Sequence, residues 1–188
     1  MADPVPQSLN HAAYPTFDTG ATYRFYTQVL GCPLVGAIRK EVVPSTGART
    51  PFLHTFFALA AGECLAFFEV DGLERPTHGD AIPDWIRHIA LNVESTEAVT
   101  AMRDRLQAHG VDVVGVVDHD GVWSSIYFFD PNDIRIELTH QARPLGEQDA
   151  ADGLSLLQEW TRERGQSLNK SDVEAMTQTR QEAQMHAG

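Results

Sequence analysis

The chain contains only two cysteines, and it has no apolar run long enough to cross a bilayer. Cys32 and Cys64 lie in apolar surroundings without the spacing of a metal site, so we interpret both as reduced packing residues. The first ten residues, MADPVPQSLN, lack the basic start and the apolar segment of a secretory signal peptide. These features together predict a cytoplasmic protein.

Basic residues are also scarce. The 188 residues include 14 Lys and Arg against 26 Asp and Glu, which gives a formal net charge of −12. A surface of this sign repels the phosphates of nucleic acids and of anionic lipids. We therefore expect neither nucleic acid nor a membrane as a partner.

The same order of predicted elements occurs twice in the chain. A strand, a helix and three strands follow one another in residues 8–72, and again in residues 85–140. The first helix has Asp18 or Thr19 as its N-cap and Gly31 as its stop signal. Units of this size bury too little surface to fold alone, so we expect the two βαβββ modules to pack together in one α+β domain.

Residues 144–188 follow a different pattern and predict a helical tail behind the domain of residues 1–143. The first tail helix has an apolar stripe on one side, formed by Leu154, Leu157 and Trp160. A second, more polar helix is expected to begin with a capping box from Ser171 to Glu174. We interpret the tail as a structural element that covers the sheet or pairs subunits.

Three residues with metal-binding side chains stand at similar places in the repeat. Strand alternation puts Glu137 opposite the apolar face of its strand, and His88 opposite the apolar face that includes Ile89. His11 lies in the first predicted strand. A histidine alone on a strand is more often a core or surface residue, but three such residues in a repeat favour a 2-His-1-carboxylate site. That ligand set leaves positions open on a divalent metal, as in non-haem Fe(II) oxygenases.

With these features the chain resembles the vicinal oxygen chelate superfamily over roughly residues 8–140. The superfamily contains glyoxalase I, methylmalonyl-CoA epimerase, fosfomycin-resistance enzymes, bleomycin-binding proteins and extradiol ring-cleaving dioxygenases. The resemblance implies paired βαβββ modules whose sheets form a metal-binding cup, and it implies a homodimer. Its metal ligands would be His11 in LNHAAY, His88 in IRHIALNV and Glu137 in RIELT.

The second half of the chain is most similar to the extradiol dioxygenases. Their signature is matched by four segments, Val117-Asp118-His119, Ile126-Tyr127, Asp130-Pro131 and Glu137. One position departs from it, because Asp133 stands where the family has Gly or Pro at the turn. Aspartate tolerates the left-handed backbone conformation better than most residues, so we expect the hairpin to form at a modest cost.

This resemblance implies ring cleavage of a small, catechol-like aromatic substrate by O2, with Fe(II), or alternatively Mn(II), as the metal. His54, on the third strand of the first module, would be the acid–base, and His119 and Tyr127 would position the substrate. Trp123, in the predicted loop before the hairpin, is a candidate wall of the substrate pocket. Separately, each of these residues has an ordinary structural explanation, but together they agree with one mechanism.

Glu69 leads to a different expectation. If Ala66 and Phe68 face the helix, Glu69 faces the cup and is a possible fourth ligand at the position that glyoxalase I and methylmalonyl-CoA epimerase use. The protein would then be a lyase or isomerase with another divalent metal. The opposite expectation places Glu69 exposed at the mouth of the strand. A third possibility is a non-catalytic small-molecule binding or resistance protein, which would need no metal triad.

Overall fold

The computed structural model describes residues 6, 8–76, 82–83 and 85–165. The chain divides into two compact units, Met1–Ala142 and Arg143–Gly188. Among the helices in the described ranges, none combines the length and the hydropathy that a membrane crossing requires.

The first module contains four strands and one helical segment. The helix α1 begins after Asp18, whose side chain accepts a hydrogen bond of 2.8 Å from the backbone N–H of Ala21, and its π-helical continuation ends at Gly31 with φ 82°. The elements are β1 (His11–Pro15), α1 (Thr19–Arg24), the π-helical segment (Phe25–Leu30), β2 (Leu34–Lys40), β3 (Phe52–Ala58) and β4 (Cys64–Val70). The predicted cap and stop of the first helix are both confirmed.

The second module repeats this order. Its helix begins after Ser95, whose hydroxyl accepts a hydrogen bond of 3.1 Å from the backbone N–H of Ala98. The elements are β5 (Ile89–Asn92), α2 (Thr96–Ala108), β6 (Val114–His119), β7 (Trp123–Phe129) and β8 (Arg135–Gln141).

Each module forms a four-stranded sheet with the same topology. The strand order is β1-β4-β3-β2 in the first sheet and β5-β8-β7-β6 in the second. The first strand of each module pairs in parallel with the last strand, and the other pairings are antiparallel. The predicted fold of two βαβββ modules is therefore confirmed.

A single hydrophobic core joins the two modules. Tyr26 of the π-helical segment packs on Phe57 and Phe67 of the first sheet, and Phe25 contacts Phe128 of the second sheet. Burial of these large apolar side chains is the main source of stability here. The core covers one face of each sheet. The opposite face, which does not contact this core, is the open face of that sheet.

The turn between β7 and β8 explains the departure at Asp133. This residue has φ 64°, so it adopts the left-handed conformation, which aspartate tolerates better than most residues. The Asp130 carboxylate accepts backbone hydrogen bonds from Asn132 at 2.8 Å and from Ile134 at 2.9 Å, which hold the turn. Asp133 also forms an ion pair with Arg75.

The second unit contains α3 (Glu147–Glu163). Arg143, before the helix, and Asp149, in its first turn, form a forked ion pair with two bonds of 2.8 Å. Asp149 also accepts the backbone N–H of Gly146 at 2.7 Å. On the predicted apolar stripe, Trp160 is 57% exposed and Leu157 is 40% exposed. The second predicted tail helix, from Ser171, lies outside the described residues.

Candidate functional site

The carboxylate of Glu137 is the centre of a polar network on the open face of the second sheet. Glu137 is only 8% exposed, and its Oε2 lies 3.0 Å from Nε2 of His88. Its Oε1 accepts hydrogen bonds from Ser125 Oγ at 2.6 Å and from the Tyr127 hydroxyl at 3.1 Å. Strand register explains the arrangement, because Tyr127 and Ala90 lie directly opposite Glu137 on the neighbouring strands.

His119 extends this network. It is the last residue of β6, and its Nε2 lies 2.8 Å from the Tyr127 hydroxyl oxygen. A hydroxyl has one proton, so when Tyr127 donates to Glu137, His119 Nε2 must donate to Tyr127. Burial, together with the negative charge of Glu137, raises the pKa of Tyr127, which keeps the phenol protonated.

A second histidine cluster lies on the open face of the first sheet. The ring of His54 stacks on Phe68 with 3.6 Å between centroids, and the ring of His11 lies edge-on at 5.9 Å. His54 is 9% exposed, and its Nε2 is buried without a hydrogen-bond partner among the residues that the structure describes. Burial, with a smaller contribution from His11, lowers the pKa of His54 and favours the neutral imidazole.

The predicted site residues thus fall into two groups within one chain. Glu137, His88, His119 and Tyr127 are together on the second sheet, whereas His11 is with His54 on the first sheet. Among the described residues, no group of three His, Cys, Asp or Glu side chains is arranged to hold a metal ion. The three-ligand site stays a prediction.

The predicted orientation of Glu69 toward the cup is wrong. The two neighbours on its face of β4, Leu65 and Phe67, are part of the shared core, whereas Phe68 faces His54 on the other side. Glu69 Oε2 accepts the backbone N–H of Thr19 at 2.8 Å and so satisfies a free donor at the start of α1. Alternation defined the two faces correctly, but it could not tell which face the helix would cover. Glu69 therefore lies on the opposite face from His54.

Trp123 was placed in a loop by the sequence pattern, but it is the first residue of β7. It lies directly opposite His119 in the register of β6 and β7 and is half-buried. This position borders the Glu137 network. Its role as a wall of the substrate pocket stays a prediction.

A cleft of about 830 Å³ opens beside the network. His88 and Arg135 both line it, together with apolar side chains that include Phe17, Ile86 and Phe129. The guanidinium carbon of Arg135 lies 4.7 Å from the centroid of the Tyr127 ring, in a cation–π contact.

Sequence reasoning missed Ser125 and Arg135. Both share a sheet face with Glu137: Ser125 lies two positions before Tyr127 on β7, and Arg135 lies two positions before Glu137 on β8. A serine inside an otherwise largely apolar and aromatic strand, WSSIYFF, was the available signal, since a buried hydroxyl needs a polar partner. The face of the strand would have pointed to Glu137 as that partner.

The paired βαβββ topology is that of the glyoxalase fold. The family model of the Glyoxalase/Bleomycin resistance protein/Dioxygenase superfamily matches residues 8–138, and the chain belongs to this superfamily. A search of curated proteins found no match to the chain.

Several solved structures share the fold at low sequence identity. A glyoxylase/bleomycin resistance protein/dioxygenase domain from Frankia sp. EAN1pec is 18% identical, with a TM-score of 0.59 over 73% of this chain and 99% of that chain. A glyoxalase/dioxygenase from Nostoc punctiforme is also 18% identical, with a TM-score of 0.53 over 76% and 100%. The fosfomycin resistance protein FosX from Listeria monocytogenes, solved with Mn(II) and sulfate, is 20% identical, with a TM-score of 0.50 over 78% and 99%.

Proposed function

We propose that the protein is an Fe(II)-dependent extradiol-type dioxygenase that cleaves the ring of a catechol-like aromatic substrate with O2. The observation that carries this proposal is the linked set of His119, Tyr127, Glu137 and His88 on one sheet face. The set combines two metal-ligand side chains with two groups that can hydrogen-bond substrate oxygens.

The donor set fits a divalent metal of the Fe(II) or Mn(II) type. An imidazole nitrogen of His88 and a carboxylate oxygen of Glu137 already lie 3.0 Å apart, and both atom types suit these metals. The hydrogen bond from Ser125 orients the carboxylate, as partners behind a ligand commonly do. His88 and Glu137 would hold the metal, which would supply the redox chemistry that activates O2.

The third ligand in this proposal is His11 of a second copy of the chain. Within one chain, His11 lies on the open face of the first sheet and Glu137 on the open face of the second, with the shared core behind each face. Two copies with twofold symmetry can place the first sheet of one copy against the second sheet of the other, which forms two equivalent sites. The predicted metal-binding cup would then form between the two copies of the predicted homodimer.

Exposed apolar residues on the outer strands support a second copy. In the described part of one chain, β2 exposes Val35 to 59% and Ile38 to 45%, and β6 exposes Val114 to 63% and Val116 to 40%. A second copy that covered these side chains would remove their apolar surface from water.

In such a dimer His54 would enter the site together with His11 of the same copy. Its unpaired, buried Nε2 is available to exchange a proton with substrate or oxygen, which fits the role of acid–base. On the other side of the site, His119 and Tyr127 would bind the substrate hydroxyls and orient the ring. Trp123, opposite His119, would limit the pocket.

The test of function is O2 consumption by anaerobically purified protein reconstituted with Fe(II), with a panel of substituted catechols. We expect substrate-dependent uptake and a yellow ring-opened product, both absent in Glu137→Ala. Bound metal with no uptake across the panel would contradict the dioxygenase and favour lyase or isomerase chemistry. A protein that binds neither Fe(II) nor Mn(II) would favour a binding or resistance function.

Subunit mixing tests the shared site separately. His11→Ala and Glu137→Ala each remove a ligand, and a mixed dimer of the two variants contains one intact site if each site takes ligands from both copies. Random pairing would restore about a quarter of the wild-type metal content and activity. If all three ligands came from one chain, mixing would restore neither.

A further inference from the structure

The cleft beside Glu137 concentrates positive charge in an acidic protein. Arg75, Arg87 and Arg135 line this one cleft of about 830 Å³ together with Asp133, the only carboxylate among its described lining residues, whereas the whole chain has 14 Lys and Arg and a formal net charge of −12. A concave surface with basic side chains attracts anions even when the net charge of the protein is negative.

Arg135 differs from Arg75 in how its guanidinium is used. Each guanidinium lies over an aromatic ring, Phe17 for Arg75 and Tyr127 for Arg135. Arg75 also forms an ion pair with Asp133 and donates to the Pro131 carbonyl at 2.7 Å. Arg135 forms no ion pair or hydrogen bond with the residues that the structure describes, and its Nε is buried without a partner. A buried donor without an acceptor costs free energy, so this position favours a bound ligand that supplies the acceptor.

The location of Arg135 relates that ligand to the proposed site. Arg135 and Glu137 are two residues apart on β8 and share one face, so their Cα atoms lie roughly 7 Å apart. His88, which contacts Glu137, lines the same cleft. A substituted benzene ring spans a distance of this order. One end of such a ligand can therefore reach Arg135 while its vicinal oxygens reach the metal ligands.

The remaining cleft wall suits the ring of such a ligand. Tyr14, Phe17, Ile86 and Phe129 give it a largely apolar, partly aromatic lining. A neutral catechol would fill this space but would leave the Arg135 donors unsatisfied. An aromatic acid would satisfy both parts of the cleft.

We propose that the substrate carries an anionic oxygen group, and that Arg135 binds this group while the ring lies in the cleft. The proposal rests on the proposed function and narrows its substrate to catechol-like aromatic acids. Carboxylate and phosphonate both present paired oxygens to a guanidinium, so they share this recognition chemistry.

Binding tests the proposal without turnover. Catechol, 3,4-dihydroxybenzoate, benzoate and phenylphosphonate are titrated into the full-length protein by isothermal calorimetry. We expect dihydroxybenzoate to bind at least about tenfold tighter than catechol, since one charge-assisted forked pair contributes that much or more. Tighter binding of benzoate than of phenylphosphonate would identify the anionic group of the substrate as a carboxylate. The reverse order would identify it as a phosphonate.

Three variants locate the effect at Arg135. Arg135→Gln should abolish the preference for 3,4-dihydroxybenzoate over catechol and change the affinity for catechol by less than about threefold. Arg135→Lys should keep part of this preference because it keeps the positive charge. Arg39→Gln makes the same change in net charge on exposed β2, where Arg39 pairs with Glu41. This control should bind all four probes as the wild type does. Melting temperatures of the variants verify that each is folded.

The proposal is overturned if the wild type binds none of the three acids, or if it binds catechol as tightly as 3,4-dihydroxybenzoate. It is also overturned if Arg39→Gln lowers the affinity for the acids as much as Arg135→Gln does. O2 uptake by the Fe(II)-loaded protein separates this outcome from the proposed function. Acid binding through Arg135 without uptake keeps the anion site and contradicts the dioxygenase. Uptake from catechol and acid alike, unchanged in Arg135→Gln, keeps the dioxygenase and contradicts the anion site.

Discussion

The hydroxyl of Tyr26 in the first module donates a hydrogen bond of 3.1 Å to the carboxylate of Asp130 in the second module. Both groups are buried, with 0% exposure for Tyr26 and 5% for Asp130. The same carboxylate holds the β7–β8 turn through the backbone of Asn132 and Ile134. One acidic side chain therefore fixes the turn that leads into β8 and joins the two modules.

Removal of the Asp130 carboxylate should lower the free energy of unfolding more than removal of the Tyr26 hydroxyl. Asp130→Ala leaves the Tyr26 hydroxyl and two backbone donors without an acceptor, so we expect a loss of about 3–5 kcal/mol in the free energy of unfolding. Tyr26→Phe removes one hydrogen bond and should cost about 1–2 kcal/mol. Exposed Asp112→Ala is the control, expected within about 0.5 kcal/mol of wild type. Urea denaturation measures all three, and similar values for Asp130→Ala and Asp112→Ala would contradict the assignment.

Asp130 should also make stability depend on pH. Burial raises the pKa of Asp130, partly offset by its hydrogen bonds, so the folded protein binds this proton more tightly than the unfolded chain does. The associated stability is present below the ordinary aspartate pKa of about 3.9 and is lost as the pH rises through the folded pKa. The free energy of unfolding of the wild type minus that of Asp130→Asn should therefore fall as the pH rises from about 4. A flat or rising difference would contradict this sign.

Gly115 is needed for close packing of β6 on β7. Its φ is 108°, and a Cβ there would lie 2.7 Å from the backbone oxygen of Ser125. Gly62 has a similar φ of 105°, and apart from its two chain neighbours no described residue has a heavy atom within 4 Å of a Cβ there. Both alanine variants are strained by φ, but only Gly115→Ala must also move β7, so it should lose at least about 1 kcal/mol more than Gly62→Ala. Equal losses in thermal unfolding would exclude the contact with Ser125 as the cause.

Much of the fold could be predicted because its signals are local. The Asp18 cap, the Gly31 stop and strand alternation depend on a few neighbouring residues, and the repeat then gave the order of the elements. The left-handed conformation of Asp133 was predictable for the same reason, since aspartate at a tight turn tolerates that conformation better than most residues.

The site was less predictable because it depends on which face of each sheet is buried and on how the modules pack against one another. Alternation put Glu69 on one face, but only the packing of Leu65 and Phe67 under the π-helical segment decides that this face is the core. Similarly, His11 and Glu137 stand at similar places in the repeat, but the repeat does not give the distance between their side chains on two sheets that share a core. That distance depends on how the modules assemble, and sequence spacing does not encode it.

Glu69 should affect α1 and leave metal binding unchanged. Glu69→Gln keeps an acceptor for the backbone N–H of Thr19, whereas Glu69→Ala leaves that donor unpaired and should cost about 1 kcal/mol of stability. Both variants should bind Mn(II) within about threefold of wild type, because the side chain faces away from His54. Loss of metal in Glu69→Gln, with stability retained, would restore Glu69 as a ligand.

His54, Glu137 and Ser125 should separate into distinct roles when metal content and turnover are measured together. His54→Phe keeps an aromatic ring to stack on Phe68 but has no ring nitrogen, so we expect normal iron content and a loss of about 100-fold or more in kcat. Glu137→Ala removes the acceptor of the bonds from Ser125 and Tyr127 and should lose iron. Ser125→Ala, which removes only the orienting hydroxyl, should weaken Fe(II) affinity by about 10-fold or more while the ligand itself remains. Iron analysis of the dialysed proteins, with kcat at saturating Fe(II), gives both numbers. If His54→Phe lost as much iron as Glu137→Ala, His54 would have to be reassigned from proton transfer to metal binding.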